Sequence, residues 1–274
     1  MNIFAIMLVK DEADVVKSVL KAAETWADKI FILDNGSTDG TWEIVQSLAN
    51  DKIIPWKQYF GAYHNGLRAD VYNEFKHLSK PGDWWCCKLD ADEFYAENPR
   101  VFLSKIPKNC QLVAKKSIDF VITKNDAENC KFSGNFEADK KFLIHIKKKC
   151  WVEPRFFRYR KGLAWENNPD NHYPPKIGVL AKALVPVFHY QFRSPQQMQK
   201  RLDIRNAAEA KKQGLAFRHV KEKDWHELLH NDEEVLVFQN SSAFFESLPV
   251  KNKIYQFALK KLLLRIGIAM RVYQ

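Results

Sequence analysis

The chain reads as an α/β protein whose first half is a parallel sheet with crossover helices and whose second half is a mixed, partly antiparallel sheet. Three observations predict this. From Ile3 to Asp90, apolar runs of strand length alternate with stretches of helical periodicity. Two of those runs end in acidic, turn-rich loops at Asp34 and Asp90, and open α/β sheets take their ligands outside the carboxyl ends of the strands. After Phe94, strand-like runs follow one another through polar loops without long helices.

The elements follow in order. Ile3 to Val9 is a strand, and Val15, Val16, Val19 and Leu20 share one side of the helix after it. Ile30 to Leu33 is the second strand. The loop Asp34-Asn35-Gly36-Ser37-Thr38-Asp39-Gly40-Thr41 supplies residues that tolerate positive φ, and Asp39 or Thr41 caps the helix of Trp42, Ile44, Val45 and Leu48. Ile53-Ile54-Pro55-Trp56 leads into a loop from Gly61 to Gly66, a helix near Leu67 to His77, a Pro81-Gly82 turn and a strand running straight into Asp90. Further strands are expected at Leu112 to Thr123, Lys141 to His145, Phe156 to Tyr159 and Val179 to Phe192. Ser194, Pro195 and Gln197 combine a cap, a first-turn proline and a capping-box partner, which starts a helix expected to reach about Gln213 and stop at Gly214.

Length and composition set the bounds. The 274 residues, 46% of them hydrophobic, suffice for one large domain or one domain with an appendage. The formal charge of 43 − 33 = +10 favours anionic partners. Five cysteines without Cys-x-x-Cys or zinc spacing indicate reduced thiols and a cytoplasmic protein. Met1 to Val9 lacks a basic leader and a cleavage site, so it reads as a first strand. No apolar run approaches the roughly 20 residues of a membrane span, which implies a soluble or peripheral protein. The stretch Lys251 to Gln274 carries basic residues and no acidic one, interleaved with Ile254, Phe257, Leu262 to Leu264 and Ile268. It is read as a basic amphipathic helix lying on an anionic membrane; a helix docked on the domain is the ordinary alternative.

Asp90-Ala91-Asp92 is the most informative motif. Hard divalent cations are commonly shared between one or two carboxylates and substrate phosphates. Carboxylates one residue apart can divide their aim between a sugar hydroxyl and a metal; a polar turn is the plainer reading. Arg68 suits a diphosphate clamp, because a guanidinium forks onto phosphate oxygens, or a solvated helix face.

Together, Val9-Lys10-Asp11-Glu12-Ala13-Asp14, Leu33-Asp34-Asn35-Gly36-Ser37-Thr38-Asp39-Gly40-Thr41 and Leu89-Asp90-Ala91-Asp92-Glu93-Phe94 resemble the nucleotide-sugar half of a family 2 glycosyltransferase. His189-Tyr190-Gln191-Phe192-Arg193-Ser194 resembles the His and Arg-Ser that a branch of this family carries before a helix. The resemblance implies a GT-A fold, a Rossmann-like mixed sheet with flanking helices, here with a C-terminal helical appendage. It implies a catalytic domain over 1–215, with a nucleotide-sugar half at 1–95 and an acceptor half at 96–215, followed by a helical region at 216–274 with the basic tail at 251–274. Lys10, Glu12 and Asp34 would surround the nucleoside, Asp90 would contact ribose or the metal, and Asp92 would be the principal ligand of Mn²⁺ or Mg²⁺. His189 would complete the metal or diphosphate contacts, unless it is a core histidine.

The catalytic base departs from the family pattern. The loop Leu163 to His172 is favoured, with Asp170 ahead of Glu166 and Trp165 stacked on a sugar; Asp119, Glu137 and Glu153 stay open. The implied reaction is sugar transfer from a nucleotide diphosphate, uridine-linked, to a glycan or lipid-linked acceptor. Its setting is bacterial surface polysaccharide or lipooligosaccharide assembly at the inner face of the cytoplasmic membrane; an inverting outcome is expected, with a retaining one left open. A nucleotidyltransferase would need a Gly-rich basic loop after the first strand, and a haloacid-dehalogenase-type phosphatase an Asp in place of Lys10. A nucleic-acid-binding protein is the non-enzymatic rival. It is disfavoured because much of the excess charge lies in the tail and around Lys140 to Lys149, away from the crevice.

Overall fold

The structure is a computed structural model describing residues 1–175, 177–210 and 222–252. Strand β1 (Ile3–Val9) is buried on both faces, as a central parallel strand should be. Its period of two splits it between core layers. Ile3, Ala5, Met7 and Val9 pack with Val16, Val19 and Leu20 of helix α1 (Val16–Ala23), while Phe4, Ile6 and Leu8 pack with Leu67, Val71 and Tyr72 of α3 (Leu67–Phe75).

Strands β2 (Lys29–Asp34) and β4 (Trp84–Cys86) flank β1 in parallel, and β3 (Ile53–Gln58) extends the sheet beside β2. Helix α2 (Thr41–Ser47) is entered through Gly40 at φ 94°, with the Asp39 carboxylate accepting from the Thr41 backbone N–H at 3.0 Å. The strand expected to run into Asp90 stops at Cys86. Cys87 and Leu89 still donate to the Arg155 and Ile6 carbonyls, but Asp90-Ala91-Asp92 then turns away to reach β5 (Glu93–Tyr95). That strand pairs antiparallel with β9 (Leu180–His189), setting Glu93 opposite His189.

The second half has only short helices before residue 180: α4 (Pro99–Ser104), α5 (Lys124–Asn129) and α6 (Phe136–Asp139). Its strands β6 (Leu112–Val121), β7 (His145–Lys147) and β8 (Trp151–Arg158) join β4 through β8, which lies between β4 and β6. The full order is β10-β7-β6-β8-β4-β1-β2-β3, with β9 parallel to β6 and β10 (Val235–Val237) at one edge. The strand expected at Lys141 to His145 is corrected: Lys140–Phe142 forms a 3-10 turn, and pairing begins at His145. The strand expected from Phe156 begins at Trp151. Pro154 sits within it opposite Ala114, beside a shift in register, the irregularity where a proline without N–H is tolerated.

Helix α7 (Pro195–Ala210) starts as expected, Ser194 Oγ accepting from the Gln197 N–H at 3.2 Å. Residues 211–221 and 253–274 lie outside the described residues, including the end near Gln213 and most of the basic tail. Between them, the region expected to be helical holds two 3-10 turns, strand β10 paired with β7, and the short α8 (Ser242–Ser247). Among the described residues, no helix is long and apolar enough to cross a membrane.

Candidate active site

The loops after β1 and β2 are laced together. Asp11 adopts φ 53°, a left-handed conformation that Asp tolerates because its side chain bonds locally. Its N–H donates to Ser37 Oγ at 2.9 Å and its Oδ1 accepts from the Thr38 N–H at 2.8 Å. Glu12 N–H donates to Thr41 Oγ1 at 2.9 Å. Asp34 is fully buried: Oδ1 accepts from the Ser37 N–H and Gln58 Nε2, while Oδ2 has no hydrogen-bond partner. Asn35 donates to the Tyr59 and Gly61 carbonyls, tying in the loop after β3.

Two cavities open over these strand ends. The first, about 470 Å³, lies between the β1 and β2 loops and α7, and its walls include Asn35, Asp39, Lys200 and Arg205. The second, about 350 Å³, is walled by Asp90, Asp92, Asp119, Trp151, Glu153 and His189. Lys10, Glu12, Tyr63 and Arg201 line both, so two cations stand where the cavities meet. Burial and the adjacent Arg201 charge push the Arg205 guanidinium down to about 10.

Asp92 sits in a cationic frame. Its Oδ2 lies 3.5 Å from His189 Nε2, 3.4 Å from Arg201 Nη1 and 4.0 Å from Arg193 Nη1. Burial opposes its charge, yet His189 and the two guanidinium groups hold its carboxyl well below the usual range. His189 Nδ1 bonds Asp119 Oδ1 at 2.9 Å, and Ser117 Oγ donates to the same oxygen at 2.7 Å. Burial works against the imidazolium, but Asp92 and Asp119 outweigh it and raise His189 to about 9. Arg193 is buried and forks onto Asp14 while holding Glu12 at 2.5 Å. Burial raises the Glu12 carboxyl, the nearby Asp92 adds to the rise, and Arg193 opposes it.

A second network lies behind Asp90. Glu93 is buried between Lys115 and Arg155, and Glu153 Oε1 lies 2.6 Å from Arg155, 3.2 Å from Lys115 and 3.4 Å from Lys88. Lys88 also lies 3.3 Å from Asp90, and Arg68 approaches Asp90 from behind at 3.9 Å.

These charges decide where a divalent ion fits. One oxygen each from Asp90, Glu93 and Glu153 lies within 4.8 Å of the others. Three cations, Lys88, Lys115 and Arg155, already neutralise that trio, so it is a balanced structural cluster. The Asp92 and His189 pair fits better. Asp119 holds Nδ1, leaving Nε2 and a carboxylate oxygen converging on open space, the arrangement by which an outer carboxylate orients a ligating histidine. A mixed imidazole and carboxylate set favours Mn²⁺ over Mg²⁺, which wants oxygen ligands.

The structure therefore brings Lys10, Glu12, Asp90, Asp92 and His189 to one cavity. Arg68 is buried, bonding Tyr63 and Asn65, and lines neither of these two cavities. Glu166 and Asp170 are exposed and line neither cavity, and Trp165 is buried against Tyr72 and Phe157 with no face to offer a sugar. Sequence reading missed Arg201, Arg205 and Trp151. The spacing of Gln197, Arg201 and Arg205 by four places them on one helix face and was the available signal.

The family model described as glycosyl transferase family 2 matches residues 5–171. Among solved structures, glucosyl-3-phosphoglycerate synthase from Mycobacterium tuberculosis, in complex with phosphoglyceric acid, is similar at 15% identity and a TM-score of 0.26. That match covers 47% of each chain, about half of that protein's length. A structure described as a glucose-1-phosphate thymidylyltransferase from Bacillus anthracis, in complex with a sucrose, is similar at 9% identity and a TM-score of 0.30, over 97% of this chain and 95% of that one. Comparison with curated proteins finds no match.

Proposed function

The chain belongs to glycosyl transferase family 2, and from that premise we propose that its joined cavities take the two ends of a nucleotide diphosphate sugar, uridine-linked. The observation that carries this reading is the junction: Lys10 and Arg201 line both cavities, where a diphosphate linking nucleoside to sugar would lie. The nucleoside would occupy the larger cavity. Asp34 itself is buried and does not line that cavity, but it holds the loop whose Asn35 does, and its unpartnered Oδ2 is an acceptor that a base N–H would satisfy if the loop opened.

Mn²⁺ or Mg²⁺ would be held by Asp92 and His189, with Asp90 beside them, and would supply Lewis-acid stabilisation of the departing diphosphate. The chain's own residues prepare the site. Asp119 fixes the His189 ring, Arg193 anchors Glu12 and Asp14, and Arg201 neutralises anionic charge at the junction. In the transfer, an acceptor hydroxyl oxygen bonds to the anomeric carbon as the bond to the diphosphate oxygen breaks with its electron pair. The hydroxyl proton goes to a carboxylate. Asp119 faces the cavity and suits that role by position. Glu153 faces it too, but, burial notwithstanding, Arg155, Lys115 and Lys88 hold its carboxyl well below the usual range and make it a poor base, and Asp170 and Glu166 would need their loop to move.

An inverting outcome, a glycan or lipid-linked acceptor in bacterial surface polysaccharide or lipooligosaccharide assembly, and peripheral attachment to the inner membrane face through 251–274 complete the proposal. They rest on the family resemblance and the basic tail sequence. Calorimetry with UDP and Mn²⁺, followed by a nucleotide-sugar hydrolysis screen, tests the reading. Binding weakened about tenfold or more by Arg201→Ala is expected, the scale of a lost charge-assisted contact; a wild-type protein that binds no nucleoside diphosphate would refute it.

A further inference from the structure

The outer wall of the second cavity is built by two neighbouring strands. In β6, Lys115, Ser117 and Asp119 alternate onto one face; in β8, Trp151 and Glu153 do the same, with Lys115 opposite Glu153 and Ser117 opposite Trp151. The polar members are mutually engaged. Lys115 serves Glu93 and Glu153, and Ser117 serves Asp119. Trp151 is different. It is 46% exposed, while Trp84, Trp85 and Trp165 are buried to within 1%. A large indole left open on a sheet face beside carboxylates has an apolar face and a polar edge to offer a ligand.

The surrounding chemistry selects that ligand. Asp119, Glu153 and Asp90 present acceptor oxygens to the cavity; each already meets a cation or a donor, and a ligand hydroxyl can add a further hydrogen bond to a carboxylate, which accepts more than one. A flat apolar ligand would offer those oxygens no donor. A pyranose has both an apolar C–H face for the indole and a rim of hydroxyl donors for the carboxylates. None of Trp151, Asp119, Glu153 or His189 lines the first cavity, so this wall is spatially separate from the proposed nucleoside end.

Resting on the transferase reading above, we propose that this wall is the acceptor subsite, that it takes a pyranose, and that Trp151 is the platform on which the ring stacks. Selection among acceptors then depends on how a sugar's hydroxyl pattern meets Asp119 and Glu153 while its C–H face covers Trp151.

The probes are methyl β-D-glucopyranoside, methyl β-D-galactopyranoside and methyl α-D-mannopyranoside, each titrated into the protein saturated with UDP and diamagnetic Mg²⁺. Indole ¹⁵N–¹H spectra and saturation transfer to the sugar protons are recorded for wild type, Trp151→Phe and Trp151→Ala. At least one glycoside is expected to move a single indole resonance, the one missing in Trp151→Phe, and to receive saturation on its C–H face. Its affinity should fall about tenfold in Trp151→Ala and less in Trp151→Phe, in keeping with the loss of one aromatic contact. UDP binding should hold within about twofold in both variants, because Trp151 lies outside the first cavity. If UDP binds but no glycoside moves that resonance, if Trp151→Ala keeps wild-type affinity, or if an intact UDP-sugar displaces the glycoside and so makes this wall the donor-sugar end, the subsite assignment is overturned while the donor reading stands. If wild-type protein does not bind UDP, the donor reading fails and the assignment falls with it.

Discussion

At the scale of single residues, the site turns on which carboxylates are already neutralised. Glu93 and Glu153 meet Arg155 nitrogens at 2.9 and 2.6 Å, whereas Asp92 meets its cations only at 3.4–4.0 Å. Asp92→Asn should therefore reduce metal-dependent turnover by about 100-fold or more while thermal unfolding stays cooperative, since it removes a ligand whose charge opposes the ion's. Turnover within a few-fold of wild type would remove Asp92 from that role. Asp119→Asn acts one step out, by loosening the His189 ring, and should weaken Mn²⁺ binding about 10- to 100-fold in a paramagnetic-resonance titration. The thiols give an independent check. Burial pushes Cys86 up to about 11 and Cys87 up to about 12, so almost no thiolate exists there at pH 8. A disulfide-exchange reagent should titrate half-buried Cys110 and Cys130 in the native protein and reach buried Cys86, Cys87 and Cys150 only on denaturation.

At the scale of elements, Gly40 isolates a backbone effect. It sits at φ 94° with open space where a Cβ would point, so Gly40→Ala adds conformational strain without a clash. About 1–2 kcal/mol of destabilisation is expected, read from the urea midpoint. Gly66 contrasts with it, because a Cβ there would come within 2.7 Å of the Asn168 carbonyl oxygen and would displace the loop on α3. The elements around Gly40 were legible because β1 and β2 are buried on both faces and the loop carries its turn chemistry in sequence, as with Asp39-Gly40-Thr41. Strand β8 was half hidden. Glu153, Pro154 and Arg155 look like loop residues until Lys115 of β6 and Glu93 of β5 supply counter-charges and a register shift against β6 accommodates the proline. The site divided in the same way: Asp92 and His189 announce themselves by motif, whereas Arg201 and Trp151 become functional candidates only once α7 and β8 are folded over the acidic turn.

At the scale of the whole molecule, the excess positive charge is spread over parts with different roles. The basic residues of the tail lack acidic neighbours in sequence, and a truncation removing 251–274 should lose affinity for anionic vesicles, about 1 kcal/mol for each basic residue that had been near the surface. Flotation unchanged by the truncation would eliminate membrane attachment through this segment. The expected halves at 1–95 and 96–215 read as successive in sequence, but the sheet threads them through each other: β8 borders β4, and β5 is carried across to β9. Modular exchange is thereby constrained. A chimera joined after residue 95 would import a foreign neighbour for Trp84-Trp85-Cys86 and a foreign counterpart for Glu93, so the chain before and after that point cannot be exchanged as independent gene segments without repacking the sheet. On so interlocked a frame, point changes in the crevice disturb fewer partners than exchange of whole blocks.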